Sequence, residues 1–351
     1  MRRILSLFCL SLIVIGTAKA CSCIGGAACR PVHPNDAMFL GKVLSRDVVN
    51  QTEQFGGQTL SRQTYLFHIV ALENFAGDQR LGQEMLIATG NGMGDCGYPF
   101  RIGETYLVDA YKYNGELSTG ICAITRPAVV STTVLRQLRT MAAGRRVPDL
   151  MGLVGVRAGN SFDIVDFHPL PGIPVTVTGA GDGSPVKAVT DADGVYTVPT
   201  LSPGKYTVSA ALPPNLSTRQ TEIDKTPLQI EIPDVKGTGA ACRQDIDVLH
   251  AGSISGRVLN AEGNAVPGYI SVRSTDPQIN QRPGPVASGG VAPDGSFTLH
   301  FLPEGTYPLE FTEQGNFQKI WFYPGTLQQR DAASISLVDG EHVQAVRFVI
   351  P

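Results

Sequence analysis

The residues of this sequence with the widest chemical scope are its cysteines, which can serve as redox centres, metal ligands, lipid acceptors or disulfide partners. Six of the seven cysteines follow residue 20. They are Cys21, Cys23, Cys29, Cys96, Cys122 and Cys242. The start Cys21-Ser22-Cys23 is not the C-x-x-C pattern of a redox centre. An even number of cysteines in an oxidising compartment predicts disulfides.

The first twenty residues predict export. Two arginines precede an apolar run from Ile4 to Gly16, and Ala18-Lys19-Ala20 provides small residues before a cleavage point. This run of 13 residues is shorter than the roughly 20 that a membrane-spanning helix needs. We therefore predict a signal peptide over residues 1–20, cleaved after Ala20, and a secreted, periplasmic or cell-surface protein that begins at Cys21.

Lipidation is the alternative fate of this segment, because a cysteine directly after a signal is also a lipid acceptor. Lipid signals usually carry a branched apolar residue at the position of Ala18, and Lys19 fits them poorly. We therefore favour soluble export, with membrane attachment only if Cys21 is lipidated.

Catalytic and metal-binding patterns are missing. Gly252–Gly256 reads G-S-I-S-G, which places Ile254 where a nucleophile elbow needs serine. The six histidines are scattered, and no H-E-x-x-H places two of them on one helical face. Asp191, Asp193 and Asp224 could contribute to a calcium site, but turn chemistry explains the Asp-Ala-Asp-Gly sequence better. We therefore predict that the protein is not an enzyme and that it binds no intrinsic metal and no cofactor.

Charge excludes two classes of partner. Removing Arg2, Arg3 and Lys19 with the signal peptide leaves 25 basic residues against 31 acidic ones. A net negative protein is a poor ligand for nucleic acid or for an anionic membrane surface.

The part of the chain that follows the signal contains five runs with the composition of strands. They are Ala37–Val49, Thr64–Leu72, Met85–Thr89, Tyr106–Tyr113 and Glu116–Ile124. Asn114-Gly115 between the last two predicts a hairpin turn, because both residues tolerate positive φ. Five such strands predict a small closed barrel. A helix is predicted from Thr133 to Ala143, with Thr132 or Thr133 as its cap and Gly144 after its end.

This first part resembles the netrin-like module, best known from the tissue inhibitors of metalloproteinases. The resemblance rests on Cys21-Ser22-Cys23, Pro31–Pro34, Asp36–Phe39, Cys96-Gly97-Tyr98 and Thr119–Cys122. It implies a five-stranded OB-type barrel over residues 21–146 and disulfides from Cys21 to Cys96 and from Cys23 to Cys122. Cys29 and Cys242 then pair by elimination.

The resemblance also implies a function. In such inhibitors the free amino group and carbonyl of the first cysteine chelate the zinc of a metalloprotease, which here assigns zinc binding to Cys21 and the pocket position to Ser22. The segment Ile24–Arg30 is longer than the corresponding segment of the family. Two functions therefore stay open for this part of the chain: inhibition of a zinc metalloprotease, or another binding role of the barrel.

The remaining residues contain an internal repeat with a constant offset of 101. The matched pairs are Gly155 with Gly256, Asp193 with Asp294, Gly194 with Gly295, Leu201 with Leu302, Gly204 with Gly305 and Tyr206 with Tyr307. A fixed offset held over this span predicts duplicated domains, at residues 147–250 and 251–351. Short strands separated by frequent turns predict β-sandwiches, so the chain as a whole is expected to be all-β.

Both repeats resemble carboxypeptidase regulatory-like modules, which are related to Cna protein B-type modules. The resemblance is clearest at Gly252–Val258, Val266–Gly268 and Tyr323–Thr326. It implies prealbumin-like or immunoglobulin-like sandwiches that act as spacers or binding surfaces. The alternative function is therefore cell-surface adhesion or binding of a surface polysaccharide. Trp321 and Tyr323 share one face of a strand and could stack on sugars, although we favour a strand buried on both faces.

Overall fold

The computed structural model describes residues 23, 29, 32, 34–55, 58–90, 96–157, 167–181, 184–235, 239–275, 285–316 and 318–351. These residues form two compact units. The first contains Cys23, Asn35–Glu104 and Val108–Thr125, and the second contains Cys29, Thr105–Leu107 and Arg126–Pro351. The structure is mostly β-sheet, as predicted. None of its described helices is long and apolar enough to cross a membrane.

The first unit is built on one sheet. Its strands are β1 (Ala37–Phe55), β2 (Gln58–Ala76), β3 (Glu84–Gly90), β4 (Thr105–Tyr113) and β5 (Glu116–Ser118). The order is β1-β2-β3-β5-β4, β1 also pairs with β4, and the short β6 (Arg126–Pro127) extends the order from β4. Asn114 and Gly115 have φ of 49° and 86°, so the predicted hairpin turn is present. Phe39, Phe67, Ile69 and Ile87 are fully buried because alternate residues face the core.

The strand predicted over Glu116–Ile124 is shorter than expected, since β5 ends at Ser118. The next residues leave the ladder to bind Asp109. The Thr119 hydroxyl donates to the Asp109 carbonyl oxygen at 2.8 Å, and the Ile124 N–H donates to the Asp109 carboxylate at 3.3 Å. This local bonding replaces the strand pairing that the apolar pattern predicted.

After β6, the second unit continues with one short helical turn (Ala128–Val130) and the helix α1 (Thr132–Ala142). The helix lies within one residue of its predicted bounds. Its cap differs from the prediction, because Ser131 occupies that position and makes no side-chain cap bond. The Ser131 hydroxyl donates instead to the carbonyl oxygen of Pro127, at 2.9 Å. Helix α1, placed with residues 21–146 by the sequence, is grouped with the second unit.

Two sheets form the first sandwich. Its strands are β7 (Leu150–Arg157), β8 (Phe167–Pro169), β9 (Pro174–Gly179), β10 (Val186–Val189), β11 (Val195–Val198), β12 (Gly204–Ala210), β13 (Leu216–Thr218), β14 (Leu228–Ile232), β15 (Cys242–Arg243) and β16 (Ile246–His250). One sheet has the order β10-β9-β12-β14, and the other has β11-β7-β16-β13 with β8 and β15 also on β7. Their inner faces meet in a core that includes Val154, Val175, Val177, Tyr196 and Val248.

The second sandwich repeats this plan. Its strands are β17 (Gly252–Asn260), β18 (Gly268–Val272), β19 (Ala287–Gly290), β20 (Ser296–Leu302), β21 (Gly305–Glu313), β22 (Ile320–Phe322), β23 (Ser334–Leu337) and β24 (His342–Ile350). The sheets have the orders β20-β17-β24 and β19-β18-β21-β22, and β23 pairs with β21. Gly252–Gly256 therefore lies in a strand, where no nucleophile elbow is formed.

The two sandwiches share particular hydrogen bonds as well as topology. Tyr206 donates its hydroxyl to the carbonyl of Ser202 at 2.8 Å, and Tyr307 donates to Pro303 at 2.7 Å. Gly194 and Gly295 have φ of 73° and 83°, which side chains rarely adopt. A Cβ at either glycine would lie 2.7 Å from a carbonyl oxygen of the neighbouring strand. These conformational demands explain the Asp-Gly pairs at the constant offset.

Candidate functional site

Disulfides constrain the first unit at Cys23, Cys96 and Cys122. Cys23 is bonded to Cys122, with a Cα–Cα distance of 5.1 Å, which is the pairing that the netrin-like resemblance implies. Cys96 is also disulfide-bonded. Its expected partner Cys21, and Ser22 beside it, lie outside the described residues. Zinc chelation by Cys21 and pocket insertion by Ser22 therefore stay predictions.

A cavity of about 520 Å³ lies next to these disulfides, and all its described lining residues belong to the first unit. We call it the first-unit cleft and define it by Asn35, Tyr111, Tyr113, Glu116, Ser118 and Thr119. Tyr111 pairs with Ser118 and Tyr113 pairs with Glu116 across the β4–β5 hairpin. Since alternate residues of a strand share a face, the two tyrosines lie side by side. They are 41% and 64% exposed.

A buried carboxylate orients one wall of the first-unit cleft. Asp109 is 2% exposed, and its oxygens accept the backbone N–H of Asn35 at 3.1 Å and the Asn35 side-chain amide at 2.9 Å. Burial raises the pKa of Asp109, and the hydrogen bonds from Asn35 and Ile124 oppose that rise. Because the Asn35 NH₂ group is engaged with Asp109, its amide oxygen is left as an acceptor.

The sugar-stacking hypothesis for Trp321 is wrong. Trp321 is 5% exposed in the core of the second sandwich, and its Nε1 donates to Glu313 at 2.9 Å. Tyr323 packs against this core and meets the Phe348 ring at 5.9 Å between centroids. The favoured prediction of burial on both faces also fails, since Ile320 is 42% exposed. Burial of Trp321 therefore removes one of the two rings of the suggested sugar platform.

The acidic residues considered for calcium have other partners. Asp191 binds Nη1 of Arg136, and Asp193 binds its Nη2 at 2.6 Å. Asp224 pairs with Arg219 at 3.6 Å. Across the residues that the structure describes, no group of three histidine, cysteine or acidic side chains is arranged to hold a metal. The Asp-Ala-Asp-Gly turn therefore joins α1 to the first sandwich.

The remaining predicted bridge lies in the second unit. Cys29 is bonded to Cys242, which is fully buried in the first sandwich. The pairing that elimination suggested is thus the one in the structure.

The tyrosines of the first-unit cleft were missed from the sequence, because tyrosine is also an ordinary strand residue. One signal could have found them. Tyr111 and Tyr113 follow the buried run Tyr106–Ala110 and directly precede the Asn114-Gly115 turn. Side chains at this end of the hairpin no longer pack in the core, so core packing does not explain two large aromatic rings there.

One comparison with known proteins supports the first sandwich. Residues 166–235 match the carboxypeptidase regulatory-like domain family. No curated protein sequence matches the chain. The Bacillus anthracis TIE protein is similar in structure at 14% identity and a TM-score of 0.25, over 89% of this chain and 47% of its own. The chain thus spans about half of that protein.

Two pilins are also similar in structure. The minor pilin of Streptococcus agalactiae has 11% identity and a TM-score of 0.24, over 58% of this chain and 97% of its own. The streptococcal ancillary pilin has 12% identity and a TM-score of 0.22, over 83% of this chain and 82% of its own. The family similarity is that of residues 166–235, within the first sandwich, to carboxypeptidase regulatory-like domains.

Proposed function

We propose that this chain is an exported, non-enzymatic adhesion protein of the cell surface, in which the tandem sandwiches serve as a spacer. The observation that carries the proposal is the direct joint of the sandwiches. β16 ends at His250 and β17 begins at Gly252, so Ala251 alone connects them. A connection of one residue leaves little freedom for hinge motion, unlike the flexible linkers that usually separate domains.

The joint is held by further contacts. The Ala251 N–H donates to the carbonyl oxygen of Asn215 at 2.9 Å, and the Asn215 amide donates to the Asp339 carboxylate. Asn215 lies in the first sandwich and Asp339 in the second. Ala251 is 7% exposed, so its hydrogen bond is shielded from water. Such a clamp suits a pair of domains that act together as a stiff spacer.

Disulfides support placement outside the cytoplasm, since such bonds persist in oxidising compartments. The bonds Cys23–Cys122 and Cys29–Cys242 close sequence separations of 99 and 213 residues. Because Trp321 is buried, the sandwiches lose their suggested sugar platform. Their spacer role is therefore the part of the adhesion alternative that the geometry supports best.

The proposal predicts that the protein is accessible on intact cells and that its loss weakens attachment. Antibody labelling and protease treatment of unbroken cells should detect the chain, and non-reducing mass analysis should find oxidised cysteines. Deleting the gene should lower attachment of the cells, and the full chain should restore it. A cytoplasmic protein with free thiols, or unchanged attachment after deletion, would refute the proposal.

Inhibition of a zinc metalloprotease is a second candidate, and the Cys23–Cys122 bond favours it. That bond fastens the chain two residues after Cys21. An N-terminus already held in place loses less entropy on binding a metal. One added alanine before Cys21 should abolish inhibition while leaving the fold intact, because it removes the α-amino group from the chelating position. Inhibition assays on a metalloprotease panel, with the unextended chain as the control, decide the matter: equal inhibition by both forms contradicts the mechanism.

A further inference from the structure

We infer that the first-unit cleft is a binding site for a neutral oligosaccharide, with Tyr111 and Tyr113 packed against its sugar rings. The inference rests on the proposed function, because it supplies the ligand class that an adhesion protein would recognise. It places recognition on the first unit and leaves the sandwiches as the spacer.

Two exposed aromatic rings lie on one face of β4. Along β4 the residues Tyr106–Ala110 are buried, whereas Tyr111 and Tyr113 are 41% and 64% exposed. Residues two apart on a strand are separated by about 7 Å. A sugar ring presents C–H groups on its faces, and these pack against the electron-rich face of an aromatic ring. Two adjacent tyrosines therefore provide contact faces for consecutive rings of a short chain.

Residues with hydrogen-bonding side chains line the cleft beside those rings. Sugar hydroxyls both donate and accept, so their recognition needs acceptors as well as hydroxyl groups. Glu116, Ser118 and Asn35 line the first-unit cleft, and their side chains carry a carboxylate, a hydroxyl and an amide oxygen. Asp109 accepts the backbone N–H of Asn35 at 3.1 Å and its side-chain NH₂ at 2.9 Å, so both the backbone and the amide of Asn35 are held. The acceptor is thus oriented before any ligand arrives.

Size and charge narrow the ligand class. A volume of about 520 Å³ falls within the range of sites for small organic ligands. Glu116 is the only charged residue among those described as lining the cleft. A carboxylate at the site disfavours uronic acids and sulfated sugars, because like charges repel. The favoured ligand is therefore an uncharged oligosaccharide.

A disulfide and a backbone hydrogen bond restrain the walls of the first-unit cleft, and such restraint lowers the entropy lost on binding. Cys122 is fixed by its bond to Cys23, and the N–H of Ile121 donates to the Cys96 carbonyl oxygen at 3.0 Å. A Cβ at Gly120 would lie 2.7 Å from that same oxygen, so the two segments are in close contact. The Asn114-Gly115 turn holds the strand end that carries both tyrosines.

Calorimetric titration of the full-length mature chain tests the inference. The probes are cellohexaose, maltohexaose, mannohexaose and chitohexaose, with an oligogalacturonate of equal length as the anionic probe. At least one neutral probe should bind with a Kd below about 1 mM. Tyr111→Ala and Tyr113→Ala should each weaken that binding about tenfold, and Tyr113→Trp should retain it. Tyr269→Ala, which removes a 53% exposed tyrosine from the second sandwich, is the matched control and should change nothing.

Unaltered thermal unfolding of each variant shows that the fold is kept. Binding that survives both alanine substitutions overturns the site. Preference for the oligogalacturonate, or failure of the folded chain to bind any neutral probe at millimolar concentration, overturns the ligand class. The attachment assay separates this inference from the proposed function. If a strain that carries Tyr111→Ala and Tyr113→Ala still attaches normally, the role of the cleft is refuted and the adhesion role is not. If the wild-type chain does not restore attachment, the adhesion role is refuted and binding at the cleft is not.

Discussion

Replacing both Cys29 and Cys242 by alanine is expected to lower the free energy of unfolding of the second unit by up to about 5 kcal/mol. The bond closes a sequence separation of 213 residues, the larger of the two separations described. Opening it gives the unfolded chain more conformations, and this gain grows with the logarithm of the loop length. Alanine suits the fully buried position of Cys242, because it adds no polar group to the core.

Guanidinium unfolding under non-reducing conditions measures this effect. The two units need not unfold together, so each transition should be followed separately. Cys23→Ala with Cys122→Ala is the matched control, because that disulfide lies in the first unit. It should shift the transition of the first unit and spare the second. An unchanged midpoint for the second unit in the Cys29 and Cys242 variant would show that the bridge does not constrain its unfolding.

Local patterns were sufficient to predict much of the fold. The Asn114-Gly115 turn followed from the positive φ that both residues tolerate, and the structure has φ of 49° and 86° there. Helix α1 followed from its apolar stripe, and Leu135 and Leu138 are both buried. The repeat offset followed from six matched pairs, and one of them has a local cause, because the positive φ of Gly194 and Gly295 favours glycine. In each case, neighbours in sequence supply the physical cause.

Features that depend on distant pairing could not be predicted. Trp321 and Tyr323 have the spacing of a strand face, but which face meets a core depends on β21 and on Glu313. The end of β5 depends on Asp109, which lies nine residues before Ser118 and binds the chain beyond it. The first-unit cleft depends on Asn35, held by Asp109 across a separation of 74 residues. A sequence pattern does not encode such contacts locally.

Asp149→Ala is expected to destabilise the first sandwich by about 2–6 kcal/mol. Asp149 is 3% exposed and accepts the backbone N–H groups of Ala240 at 2.8 Å and Leu201 at 2.9 Å. Its carboxylate also accepts Nη2 of Arg146 at 2.8 Å. Removing the carboxylate leaves two buried N–H groups without partners, and each such group costs about 1–3 kcal/mol. Thermal unfolding measures the loss.

Asp234→Ala is the control for this substitution, because Asp234 is an exposed aspartate of the same sandwich. It should change the free energy of unfolding by less than about 0.5 kcal/mol. A similar loss in both variants would contradict the role given to the buried hydrogen bonds.

The stabilisation by Asp149 should also depend on pH. Burial alone would raise the pKa of Asp149, but hydrogen bonds from Ala240, Leu201 and Arg146 outweigh it and lower the pKa below the ordinary value of 3.8. A lowered pKa means that the stabilising contribution is fully present above the unfolded value of 3.8 and is lost as pH falls through the folded pKa. The difference in unfolding free energy between wild type and Asp149→Ala should therefore be constant near neutral pH and shrink on acidification below 3.8. A difference that grows in acid would mean that the protonated carboxyl, and not the carboxylate, holds these three segments together.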